Sequence, residues 1–147
     1  MTTYEEYEAS GFFDKHQLNL IKSSIVNGLT MEQVAIYAKH QFNLLEMRQI
    51  VCGFRQGLTI EQVSIYADVE FKHQQMKQIR IGLNDGLTKE QIALYASLKF
   101  NAMQMQEIRL GFKQGLTIKQ VKVYARPKFS SANMRHKRLD RALLYIR

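Results

Sequence analysis

Phenylalanine recurs every 29 residues, at Phe13, Phe42, Phe71, Phe100 and Phe129, and the apolar and polar positions behind each one repeat in step. Four units follow without insertion or deletion, 13–41, 42–70, 71–99 and 100–128, and a fifth, 129–147, stops after its first helical stretch. Within a unit the apolar residues fall at helical spacing, as in Met47–Ile50–Phe54 and Met105–Ile108–Phe112. Asp14, Asn43, Asn101 and Ser130 stand just after the phenylalanine as N-caps, with Gln17, Glu46 and Gln104 three residues on to close capping boxes. Unit three departs, with Lys72 at the cap position. Gly28, Gly57, Gly86 and Gly115 end this first helix as left-handed C-caps.

A second, shorter helix starts at once. Thr30, Thr59, Thr88 and Thr117 cap it, Gln33, Gln62, Gln91 and Gln120 close its boxes, and it ends near a Tyr-Ala pair such as Tyr66-Ala67. Eight or nine residues form no stable helix alone, so packing against neighbouring units must hold it. The predicted fold is all-α, an α-solenoid of four helical-hairpin repeats plus a C-terminal capping helix. It spans a single repeat domain over 1–147, with 1–12 as the N-terminal cap. Ser24, Gly53, Gly82 and Gly111 form a small-residue column inside the first helices, a sign of close helix approach or of backbone offered to a ligand. Asp140 at the same position marks a last helix without a further neighbour.

Composition agrees. One Pro in 147 residues argues against a loop-rich or all-β chain, and 46% hydrophobic residues against disorder. No apolar run approaches a membrane span, and the acidic start (Glu5, Glu6, Glu8) is unlike a signal peptide. A lone Cys52 fits a reducing compartment, so the expectation is a cytoplasmic protein with no membrane contact.

The residues that look most like a motif, Gly-Leu-Thr-x-Glu-Gln-Val, are accounted for by capping. His16, His40, His73 and His136 fall at four different repeat positions and share no metal-ligand spacing. Cys52 reads as a buried structural thiol. Tyr37, Tyr66, Tyr95 and Tyr124 form a ladder that serves either the core or base stacking. No catalytic set converges, so the expectation is no enzyme, cofactor, metal or small-molecule substrate.

Charge is unevenly placed. Residues 1–108 balance at −2, whereas residues 109–147 hold 11 Lys/Arg against Asp140 alone. Three positions of the first helix, spaced by three and then four residues, share one face. They hold Asn19, Arg48, Lys77, Gln106 and Arg135; Lys22, Val51, Arg80, Arg109 and Arg138; and Val26, Arg55, Asn84, Lys113 and Ala142. Nine of these fifteen are basic and none is acidic, which predicts a basic ribbon along the stacked units. That ribbon is either a solvated face or a binding surface for phosphate or another anionic partner, carried by Lys22, Arg48, Arg55, Lys77, Arg80, Arg109, Lys113, Arg135 and Arg138.

The unit F-x-x-x-Q-M-x-x-I-x-x-G-L-x-x-G-L-T-x-E-Q-V-x-x-Y-A, over residues 13–147, resembles the short tandem helical repeats of phage and mobile-element proteins of Firmicutes. The run Leu116–Phe129 also resembles the helical repeat of mitochondrial transcription termination factors, although Pro127 appears in one unit alone. The first resemblance implies a bacterial host and a small protein similar in kind to anti-defence proteins, including anti-CRISPRs. The expected function is a non-enzymatic interaction protein that binds a protein or nucleoprotein, such as a host defence nuclease. The alternative is direct, sequence-independent DNA or RNA binding.

Overall fold

A computed structural model describes residues 3–145; residues 1, 2, 146 and 147, the ends of the expected domain, lie outside the described residues. Those described form helices and turns, with no strand among them. A short α1 (Tyr4–Ala9) precedes four long–short pairs: α2 (Lys15–Val26) with α3 (Met31–Tyr37), α4 (Leu44–Arg55) with α5 (Ile60–Tyr66), α6 (His73–Asn84) with α7 (Lys89–Tyr95), and α8 (Ala102–Lys113) with α9 (Ile118–Lys122). Then come α10 (Ser131–Leu139) and a 3-10 turn at Arg141–Tyr145. The long helices begin 29 residues apart, as the phenylalanines do.

Capping explains each boundary. Asp14, Asn43 and Asn101 accept from the backbone N–H three residues on, and Gln17, Glu46 and Gln104 accept from the cap's own N–H, at 2.8–2.9 Å throughout. Without a capping side chain at Lys72, Gln75 still accepts from the Lys72 N–H at 2.8 Å. At the far end Gly57 adopts φ +92°, the Gly57 N–H reaches the Phe54 carbonyl, and the Leu58 N–H reaches that of Gly53, both at 3.0 Å. This pair of bonds is a Schellman motif. It recurs at Gly28, Gly86 and Gly115. The next residue, Thr, opens the short helix with a complete capping box in all four units.

Alanine closes three of the short helices. Ala38, Ala67 and Ala96 sit near φ −75°, ψ +65 to +70°, and the N–H beyond each bonds the tyrosine carbonyl at 2.7 Å, an inverse γ-turn. The same 2.7 Å bond forms from Arg126 to Tyr124.

The chain divides into two compact units, with the division inside α6 between Met76 and Lys77. In the first, α2 contacts α3 and α4, α4 contacts α5, and α1 rests on α2. Its core holds Ile21, Val34, Tyr37, Phe42, Met47, Ile50, Val63 and Tyr66, all fully buried. In the second, α8 contacts α7, α9 and α10 around Ile92, Tyr95, Met105, Ile108, Val121, Tyr124 and Met134. Phe42, Phe71 and Phe100 are all buried.

The tyrosine ladder belongs to these cores. Tyr66, Tyr95 and Tyr124 donate their hydroxyls to the carbonyls of Gln49, Gln78 and Glu107, at 2.7–2.8 Å, on the long helix of their own unit. Each hydroxyl passes over the glycine of the small-residue column; a Cβ on Gly53, Gly82 or Gly111 would collide with it. Close approach therefore accounts for the column. In the first unit Ser24 replaces the glycine and donates to the Leu20 carbonyl at 2.7 Å. The buried Tyr37 hydroxyl is left without a hydrogen-bond partner.

Two expectations change. Cys52 is half-buried rather than buried. The fifth long helix stops early, at Leu139, because Asp140 is extended (ψ +124°) and accepts from the Ala142 N–H at 3.0 Å. The chain turns into the 3-10 segment, where Leu143 is buried and its carbonyl accepts from Gln120 Nε2 at 2.8 Å.

Candidate interaction surface

The middle position of the expected basic stripe is an internal joint. In the second unit Arg109 on α8 is 7% exposed; its Nε donates to Gln78 Oε1 at 3.0 Å and a terminal nitrogen lies 3.8 Å from Asp85 Oδ2. One repeat later the arrangement returns. Arg138 Nε donates to Glu107 Oε2 at 3.0 Å, and Nη1 to Gln114 Oε1 at 2.8 Å. In each case the arginine straps onto two side chains of the preceding repeat, 31 and, for Asp85 and Gln114, 24 residues back. A guanidinium held this way reaches no external anion without breaking those bonds.

The same position in the second repeat is apolar, Val51, 2% exposed. Its counterpart one strap earlier is Leu20, where the later repeats have Gln78 and Glu107. An apolar pair thus stands in sequence where Arg109 bonds Gln78 and Arg138 bonds Glu107. Arg80 occupies this column too and is buried, 9% exposed. Lys22, whose repeat has none before it, is exposed, with its ammonium 5.7 Å from the Tyr4 ring centroid.

The nine predicted side chains are therefore not brought to one exposed face. Arg80 and Arg109 are buried and Arg138 is half-buried in an ion pair; Lys22, Arg48, Arg55, Lys77, Lys113 and Arg135 are exposed. The exposed face of each long helix runs through positions spaced three, four and three residues apart. On α4 these are Leu45, Arg48, Cys52 and Arg55; on α8 they are Met103, Gln106, Leu110 and Lys113; on α10 they are Ala132, Arg135 and Leu139. None of them is acidic, and large apolar groups stand among the cations: Leu45, Met103 and Leu139 are 49%, 65% and 60% exposed. The sequence reading missed these apolar members. Their signal was there, since Leu45 and Met103 share one repeat position and neither continues the core spacing.

The acids lie elsewhere. Glu32, Glu61 and Glu90 sit in the first turns of the short helices, where the helix dipole favours them.

In the second unit, α8 and α10 enclose a groove of about 350 Å³ between Met103, Gln106 and Glu107 on one side and Ala132, Arg135 and Leu139 on the other. Among the described residues no group of three or more His, Cys, Asp or Glu is placed to hold a metal ion, and no helix is long and apolar enough to cross a membrane. Burial raises the Tyr37 phenol to about 12, opposed in part by the Ser24 hydroxyl beside it. Burial also raises those of Tyr95 and Tyr124, against the nearby Arg109 and Arg138. These shifts belong to the core.

Comparison with protein-family models, curated proteins and solved structures returns no match.

Proposed function

We propose that the chain is a non-enzymatic interaction protein that binds an anionic protein or nucleoprotein through the outer face of its long helices. One observation carries this reading. Arg48 and Arg55 in the first unit, and Lys77, Lys113 and Arg135 in the second, are exposed on their own helices without an acid at these positions, while Arg109 and Arg138, which have acidic or amide partners, are buried and half-buried. Solubility alone is served by interspersed signs, and a face of one sign with apolar groups among the cations suits recognition instead. Capping boxes and Schellman turns in unbroken 29-residue register support extending the fold to an α-solenoid of four helical-hairpin repeats with a C-terminal capping helix. Likeness of the unit to phage and mobile-element repeats directs the search for a partner to bacterial defence nucleases.

The test is photo-cross-linking in host extract. A benzophenone side chain at Arg48 or Lys113 should capture one shared species, and a third at Glu32, on a short helix, should not. Capture from Glu32 alone, or from none, overturns the proposal. Direct nucleic-acid binding, the second reading, requires a gel shift of naked DNA or RNA at about 150 mM salt, where exposed charges are screened beyond roughly 8 Å.

A further inference from the structure

The α8–α10 groove combines two properties that a surface seldom needs together. Its rims are apolar and open to water: Met103, in the first turn of α8, and Leu139, the last residue of α10. Its charge is basic, from Arg135, and the imidazole of His136 stands beside it, both exposed. The acid on its wall, Glu107, is held by Arg138 at 3.0 Å. From Ser131 to Leu139 the α10 helix carries four basic or imidazole side chains and no acid.

These features discriminate between ligands. A phosphodiester backbone gains nothing from Met103 and Leu139, and no Phe, Tyr or Trp lines the groove to stack a base. A peptide helix with an apolar stripe flanked by carboxylates gains from both walls and from the Arg135 cation. Met103 is also a side chain suited to such a partner, since an unbranched thioether adapts to the shape it meets.

We infer that the α8–α10 groove seats an acidic amphipathic helix of a partner protein. Apolar residues of the partner at i, i+4 and i+7 lie between Met103 and Leu139, and its carboxylates face Arg135 and His136. The inference rests on the proposed binding role and narrows it to one groove and one chemistry.

The experiment uses the full chain and three fluorescein-labelled probes at about 150 mM salt. The first is a peptide of about four helical turns with Leu at i, i+4 and i+7 and Glu on the flanks. The second has Lys in place of Glu, and the third is an oligothymidine. Anisotropy should show saturable binding of the Glu peptide and none of the Lys peptide. Ala132→Trp, which fills the groove, and the pair Met103→Gln with Leu139→Gln should each weaken binding by at least about tenfold, with circular dichroism unchanged. Lys15→Glu with Lys39→Glu, exposed and outside both the groove and the basic face, should leave it unchanged. If the Glu peptide binds but only Arg48→Glu/Arg55→Glu abolishes it, the groove is overturned and the basic-face proposal stands. Oligothymidine binding blocked by Ala132→Trp, or no binding of the Glu peptide, also overturns the groove. Glu-peptide binding that neither the groove variants nor reversal of the exposed cations moves sinks both readings.

Discussion

The hydroxyl of Tyr66 occupies the space that a side chain on Gly53 would need, and from there it donates to the Gln49 carbonyl at 2.7 Å. A helix-breaking residue in mid-helix thus has a specific partner, and the pair recurs as Gly82 with Tyr95 and Gly111 with Tyr124.

The first prediction is a coupling between these two residues. Gly53→Ala improves helix propensity by about 1 kcal/mol, yet the methyl overpacks the Tyr66 hydroxyl and should destabilise the protein by about 2 kcal/mol net. Tyr66→Phe should cost about 1 kcal/mol. In the double variant the alanine escapes its worst clash and keeps only the tighter contacts with Val63 and Leu58, so the two losses should sum to less than additive by at least about 0.5 kcal/mol in urea melts. Additive losses would mean that the glycine column answers to something other than the tyrosine.

Tyr37 predicts the opposite sign of effect. Its hydroxyl is buried beside that of Ser24, whose proton is committed to the Leu20 carbonyl, and it makes no hydrogen bond of its own, so Tyr37→Phe removes a desolvated group and no bond. The variant should melt at or above the parent temperature, whereas Tyr95→Phe should lose about 1 kcal/mol. Equal losses from the two would show that Tyr37 has a partner in solution.

Much of this was legible in the chain, because helix boundaries here are chemical statements. Asp14 with Gln17, Thr59 with Gln62, and Gly57 before Leu58 each specify a bond, and each bond is present. The site was less legible. A stripe three and four residues apart contains Arg109 whether that side chain meets solvent or the preceding repeat, and only the matched exchange of Leu20/Val51 for Gln78/Arg109 separates the cases. Periodicity within one helix carries no information about what the next repeat covers.

Glu46 is a position where the repeat falls short. Gln17 and Gln104 accept at their own N-cap and also donate through Nε2 to the carbonyls of Phe42 and Phe129, at 3.0 and 2.8 Å. Buried Glu46 has no amide to donate. Glu46→Gln should recover the bond to the Phe71 carbonyl and add about 1 kcal/mol, or roughly 2–4 °C in melting temperature. A fall in melting temperature would contradict the equivalence of these positions.

Alkaline pH should unfold the protein through its buried phenols. Burial raises the pKa of Tyr37 to about 12 and those of Tyr95 and Tyr124 also, above the roughly 10 of an unfolded chain. Above about pH 10 the unfolded state therefore binds fewer protons than the folded one, and stability falls as pH rises. The contribution is complete below about pH 10 and is lost on rising through the folded values. Phenolate absorbance should show the exposed tyrosines ionising first and the buried set only with the loss of helical signal. A single titration of all seven tyrosines near pH 10 in a still-folded protein would contradict the burial.

The central claim is that the exposed cations bind a partner while the arginine straps join repeats. It is tested by comparing two variants for affinity toward the cross-linked species over about 50–300 mM salt, with melting temperature as the second axis. Reversal of Arg48, Arg55, Lys77 and Lys113 to Glu should abolish binding and leave the melting temperature within a few degrees. Arg109→Met should lower the melting temperature and leave the affinity of the folded protein and its salt dependence unchanged. Intact binding in the fourfold reversal, with binding lost in a still-folded Arg109→Met protein, would contradict the account.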